Sequence, residues 1–146
     1  MNLFNEPPLP VCDFSTNHTV LDKIETTVEE VYQILIKLKN GKANGPDDIS
    51  NLLLKFCAPT LAEPITHIIN KSLSAGVFPL IWKTANVVPI FKQGNRENVE
   101  NYRPISLLSN ISKISERVVF NELYSFCETN NLLTSKNSGF KKRTIL

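Results

Sequence analysis

The apolar positions of this chain follow a helical period over most of its length and lose it once. Val28, Val31, Tyr32, Leu35 and Leu38 recur at three- and four-residue steps, one apolar stripe on a helix. Thr27 and Glu30 stand before it at capping-box spacing, and Asn40-Gly41 after it has the composition of a left-handed cap. Residues 42–48, Lys-Ala-Asn-Gly-Pro-Asp-Asp, are a loop by composition. Asp47 or Asp48 is expected to cap a second helix with Ile49, Leu52, Leu53 and Phe56 on its apolar face, stopping before Pro59. Thr60 with Glu63 predicts the start of a third helix, whose stripe is Leu61, Ile65, Ile68, Ile69 and Leu73 and whose end is Gly76. Pro64 falls in its first turn, where a missing amide costs least.

The period then changes. Trp82 to Phe91 is rich in β-branched and aromatic residues and reads as a strand, which Pro89 demotes to an edge or a bulged one. Lys92 to Arg96 has turn composition, and a second extended segment follows over Asn101–Leu107, itself made irregular by Pro104. The two predict a β-hairpin with a polar, charged tip and a loop longer than the tight two-residue type. A long helix follows, from Ser109 or Ser112 to about Asn130, with Ile111, Ile114, Val118, Val119, Leu123 and Phe126 as its buried face. The expected class is α+β: helix-rich, with one irregular antiparallel hairpin. Prolines 7, 8 and 10 mark residues 1–26 as an extended lead-in, and residues 27–146 as the folded part.

Composition adds limits. A chain of 146 residues, 42% hydrophobic and 21% charged, is long enough for one core and too apolar for a disordered tract. No stretch approaches a membrane-spanning helix, no signal peptide is visible, and three widely spaced cysteines suit reduced intracellular thiols. The expected setting is therefore intracellular, without a membrane partner, and the sequons at Asn17, Asn70 and Asn110 read as chance. Net charge is only +2, but it is graded: −2 over residues 1–46, +1 over 47–99 and +3 over 100–146, ending in Lys141, Lys142 and Arg143.

The search for chemistry excludes more than it finds. His18 and His67 are the two histidines, and neither stands at ligand spacing with a cysteine or with the other. There is no nucleophile elbow and no phosphate-binding G-x-x-x-x-G-K-[ST] loop. Asp47-Asp48 has the residue type of a divalent-metal site, but after Gly45-Pro46 it reads as helix capping. The hairpin offers more: Lys92 ends one strand and Arg103 opens the other, two cations able to meet phosphate oxygens if the register brings them together. From charge placement alone they read more readily as surface charges guarding an edge.

Motif strings shift that balance. Trp82-Lys83, Pro89-Ile90-Phe91-Lys92 with Gly94, and Asn101-Tyr102-Arg103-Pro104-Ile105-Ser106-Leu107-Leu108 with Lys113 and Glu116 beyond form a specific combination. Together with Lys42-Ala43-Asn44-Gly45-Pro46-Asp47 upstream and Ser138-Gly139-Phe140 downstream, they resemble, in order and spacing, the N-terminal part of the reverse transcriptases of jockey-like non-LTR retrotransposons. The resemblance covers roughly residues 27–143.

The resemblance implies the fingers and early palm of a right-hand polymerase. By it, Lys92 and Arg103 contact the triphosphate of the incoming nucleotide. Gly139, Phe140, Lys141, Lys142 and Arg143 lie toward template and primer. The implied partners are an RNA template, a DNA primer and dNTPs; the implied cofactor of the complete polymerase is Mg2+, held by palm aspartates. Those aspartates have no counterpart here, and neither Tyr-x-Asp-Asp nor Phe-x-Asp-Asp occurs, so no catalytic or metal residue is assigned and the chain alone is expected to be inactive. Asp48 stands where the family usually has glycine, and Asn137 where it has glutamine. Other readings are a non-catalytic nucleic-acid-binding or interaction module, or a degenerate remnant, derived from such an element; a nuclear location fits the parent element. Oligomeric state is not encoded in any of these features.

Overall fold

A computed structural model describes residues 20–133, arranged as three helices, a β-hairpin and a fourth helix. The first helix, α1, is Val28–Ile36, and its capping box forms as the sequence predicts. The Thr27 hydroxyl accepts from the Glu30 amide, and the Glu30 carboxylate accepts from the Thr27 amide and the Thr26 hydroxyl. The Thr27 backbone bond, with the Thr26 hydroxyl behind it, holds the Glu30 carboxyl below its ordinary value. Val31 and Leu35 are buried, while Val28 faces solvent. The helix ends at Lys37, in a right-handed turn, before Asn40-Gly41; Gly41 is left-handed (φ +70°) but belongs to the following loop.

The second helix, α2, is Asn51–Phe56, and here the sequence reading is wrong in both cap and face. Ser50 caps it by accepting from the Leu53 amide, whereas the Asp47 carboxylate accepts from Ile49 and Asp48 is itself left-handed (φ +53°). The positive φ explains why glycine suits position 48, and aspartate is among the residues that tolerate that region. Asn51 and Leu54 turn inward, and Leu52, Leu53 and Phe56 turn out, Phe56 to 84% exposure. The cause is non-local: the Asn51 amide donates to the Lys39 carbonyl across the loop, which fixes the phase of a helix under two turns long.

The third helix, α3, is Ala58–Ala75 and begins before the expected Thr60, because the Thr60 and Leu61 amides both donate to Cys57. Thr60 and Glu63 are thus already helical and form no capping box. Pro59 sits at the start, where no hydrogen bond is lost, but Pro64 lies in the interior rather than the first turn. Its missing amide frees the Thr60 carbonyl, on an exposed side of the helix where water can serve it. Ala58, Ala62, Ile65, Thr66 and Ile69 are buried, Ile68 is not, and Gly76 closes the helix in the left-handed conformation (φ +63°). The Val77 and Gly76 amides bond to Ser72 and Leu73, the paired bonds of a Schellman end.

α1 and α3 pack against each other, and Leu54, Trp82, Ile114 and Val118 complete one core. Asn70 on α3 clamps the chain entering α1 by bonding both the amide and the carbonyl of Thr26. Trp82 belongs to this core and not to a strand: Pro79 opens a short 3-10 turn over Leu80–Lys83, and the buried indole meets Phe78 edge-on.

The strands are β1, Ala85–Phe91, and β2, Tyr102–Leu108, paired antiparallel in a regular register from Ala85 with Leu108 to Phe91 with Tyr102. Among the described residues both strands are edges, as Pro89 predicts, but the expected bulge or irregularity is absent because Pro89 and Pro104 face each other. The Lys92 amide donates to Asn101, so hydrogen-bonded pairs fall at alternate positions and the proline pair falls between them. Neither proline owes the ladder a donor, and each removes an outward amide from the middle of a free edge. The last helix, α4, is Asn110–Thr129, capped by Ser109. Ile114, Val118 and Tyr124 are buried, whereas Leu123, assigned to the buried face by its spacing, is exposed. No described helix is long and apolar enough to cross a membrane.

Candidate nucleotide-binding hairpin

The alternation of a strand decides which side chains share a face. Directly opposed residues point the same way, so Val88 with Ile105, Ile90 with Arg103, and Lys92 with Asn101 lie on one side of the ribbon. Lys92 and Arg103 are therefore diagonal neighbours on a single face, with backbones about 7–8 Å apart. Both are exposed. Among the described residues the ion pair is Lys23 with Glu25, so neither hairpin cation is neutralised by a carboxylate. Val88, Ile90 and Ile105 make an exposed apolar strip beside them.

The other face is occupied by its own contacts. Phe91 and Tyr102 meet edge-on at 5.5 Å, and the Arg96 guanidinium covers Phe91 at 5.1 Å. The long loop between the strands is held by the residue before β2 and the first residue of β2. The Asn101 amide donates to the Asn95 carbonyl and the Tyr102 hydroxyl to the Arg96 carbonyl. Gly94 (φ +90°) leaves the space that Asn101 fills, since a Cβ there would come within 2.8 Å of its amide. The Asn-Tyr-Arg-Pro string thus has a division of labour: two residues fold the loop, one presents a cation and one blocks an edge.

At its root the hairpin is joined to the 42–48 loop, a contact that sequence reasoning missed. Gly45 lies against the backbone of Leu108 and Ser109, the Ser109 hydroxyl donates to Asp47, and the Asn110 amide donates to the Ile49 carbonyl. The signal available in the sequence was the joint appearance of both strings, not any local pattern. Asp47 and Asp48 do not converge with other ligands: among the described residues, no group of three or more His, Cys, Asp or Glu is placed to hold a metal ion. A cavity of about 670 Å³ lies in a groove between α1 and α4 edged by Lys37, Lys39, Arg117 and Glu122, and none of its lining comes from the hairpin. Gly139, Phe140, Lys141, Lys142 and Arg143 lie outside the described residues.

Over 116 residues, 79% of its length, the chain is 33% identical to the RNA-directed DNA polymerase from mobile element jockey of Drosophila melanogaster. The chain is a reverse-transcriptase-like segment. Over an equal length it is 34% identical to the probable RNA-directed DNA polymerase from transposon BS of the same species, and over 113 residues 34% identical to that from transposon X-element. Its relatives are thus the polymerases of jockey-like and other non-LTR retrotransposons, of which it spans about 13% of the length. No family model matches the chain. For this reverse-transcriptase-like segment the α+β class stands, as a mixed helical fold with one two-stranded antiparallel sheet.

Proposed function

We propose that the segment is the fingers portion of an RNA-directed DNA polymerase and that its hairpin binds the triphosphate of the incoming nucleotide. The observation that carries this is the shared, unneutralised face of Lys92 and Arg103 on an exposed ribbon. Arg103 supplies a planar fork for two phosphate oxygens and Lys92 a mobile point charge, a combination suited to a flexible polyanion. At about 4 Å each contact is worth about 1 kcal/mol in water, and about 4 kcal/mol where the site is partly shielded. The apolar strip beside them would lie under the base or sugar, and the template and primer contacts are assigned by resemblance to Gly139, Phe140, Lys141, Lys142 and Arg143.

Magnesium would serve the complete polymerase by positioning the primer hydroxyl and neutralising the phosphates. Among the described residues no three or more His, Cys, Asp or Glu come together to hold it, and Asp47 is already bound to Ser109 and Ile49. The segment's own contribution is binding and orientation. In a polymerase that carries this segment, Lys92→Ala and Arg103→Ala are each expected to raise the KM for dNTP about fivefold, the worth of one exposed phosphate contact. Unchanged KM in both variants removes their assigned role.

A further inference from the structure

We propose that Asp47 is a positioning residue for the hairpin, setting the direction in which Arg103 and Lys92 leave the helical body. This rests on the nucleotide-binding reading above and deepens it. The ribbon's middle residues are exposed on both faces and, among the described residues, no helix packs extensively along it, so its direction is decided at its two roots. One root is the Trp82 turn before β1. The other is the junction of β2 with α4, where Ser109 and Asn110 are each 2% exposed.

Asp47 closes that second root with both oxygens. Oδ1 accepts from the Ile49 amide at 3.2 Å, which shapes the loop, and Oδ2 accepts from the Ser109 hydroxyl. The same Ser109 oxygen accepts from the Ile111 amide at 3.2 Å, so one hydroxyl ties the loop to the first turn of α4. Gly45 permits the close approach on the neighbouring backbone, and the Asn110 amide donates to Ile49 at 2.7 Å from the other side. Arg103 lies six residues up β2, about 20 Å away along an extended strand, so Asp47 acts through the strand and not on the nucleotide. Over such a lever, a tilt of about 5° at the root moves Arg103 by about 1.7 Å, enough to spoil a phosphate contact.

The test places spin labels at Gln93→Cys, in the loop beyond the strands, and at Glu63→Cys, on the exposed side of α3, with Cys12, Cys57 and Cys127 replaced by serine. Distances are read far below the melting temperature, where lost stability alone does not alter the folded population. Asp47→Ala is expected to broaden the inter-label distribution by about 2 Å and to weaken Mg-dCTP binding about tenfold. Asp47→Asn keeps an acceptor for Ile49 and a partner for Ser109, and is expected to restore both readings. Should Asp47→Ala fail to melt cooperatively, Ser109→Ala removes the same bond from the other side and is expected to broaden the distribution likewise. A distribution that superimposes on the parent's in a folded variant overturns the proposal. Broadening in a chain whose parent binds no nucleotide supports the role of Asp47 in aiming the ribbon and refutes the nucleotide reading instead.

Discussion

Replacing Gly45 by alanine tests whether the Gly-Pro-Asp loop is docked as described. Gly45 is not left-handed, so the substitution meets no conformational penalty of its own. It meets a wall: the new Cβ would lie 2.5 Å from the Ser109 nitrogen, 2.6 Å from the Leu108 carbonyl carbon and 2.7 Å from its oxygen. Ordinary contact begins at 3.4 Å, so the loop and the β2–α4 junction must part by about 0.9 Å. All three atoms are backbone, held by the strand ladder on one side and the α4 cap on the other. Overpacking of this kind costs about 1–3 kcal/mol, and the rigid partners put it at the upper end, about 3 kcal/mol. For a domain of this size that lowers Tm by roughly 12 °C. Gly41→Ala is the control: it is left-handed with nothing within 4 Å of its Cβ, so it carries conformational strain alone, about 1 kcal/mol. Thermal melts of the three chains decide the matter. If Gly45→Ala melts no lower than Gly41→Ala, the loop does not rest on the junction, and the account of the hairpin's root fails.

Two further predictions concern the helical body. Leu54→Ala is expected to cost about 2–5 kcal/mol and Phe56→Ser within about 0.5 kcal/mol, although both are apolar residues of one short helix; a larger loss for Phe56→Ser by denaturant melts would mean that α2 has the opposite phase, and equal losses would contradict the burial described. The Glu30 carboxyl titrates below its ordinary value, so its ionised form is favoured by folding and its contribution is complete above the unfolded value. That contribution is lost as pH falls through the lowered folded value, and Glu30→Gln is expected to flatten the acid limb of the Tm-against-pH curve relative to its plateau; an unchanged limb contradicts the capping-box assignment.

What the sequence made legible was local, and what it concealed was not. The Thr27–Glu30 box and the Gly76 end depend on residues a few positions apart, and both formed as read. The hairpin was legible because its period differs from that of its surroundings, and because Asn101 to Leu108 and Pro89 to Lys92 carry a known string. The facing prolines were read as a disturbance because their pairing depends on register, which neither strand states alone. α2 was misphased because six residues hold too few repeats, and its orientation comes from the Asn51 bond to Lys39. Local spacing offers Asp47 or Asp48 as a cap for the next helix, whereas the partner of Asp47, Ser109, lies 62 residues away. Asn70 and Asn110, to which no local pattern assigns a role, each bond a distant backbone group.

Equilibrium binding of Mg-dCTP to the chain itself, at low and at moderate salt, bears most directly on the nucleotide-binding face. The account predicts measurable affinity at low salt that weakens as salt screens the exposed contacts, with Lys92→Ala and Arg103→Ala each losing about fivefold. Arg96→Ala, on the opposite face over Phe91, is expected to lose much less. Equal losses in all three variants would reduce the effect to net charge, and binding indifferent to Lys92 and Arg103 would contradict the account.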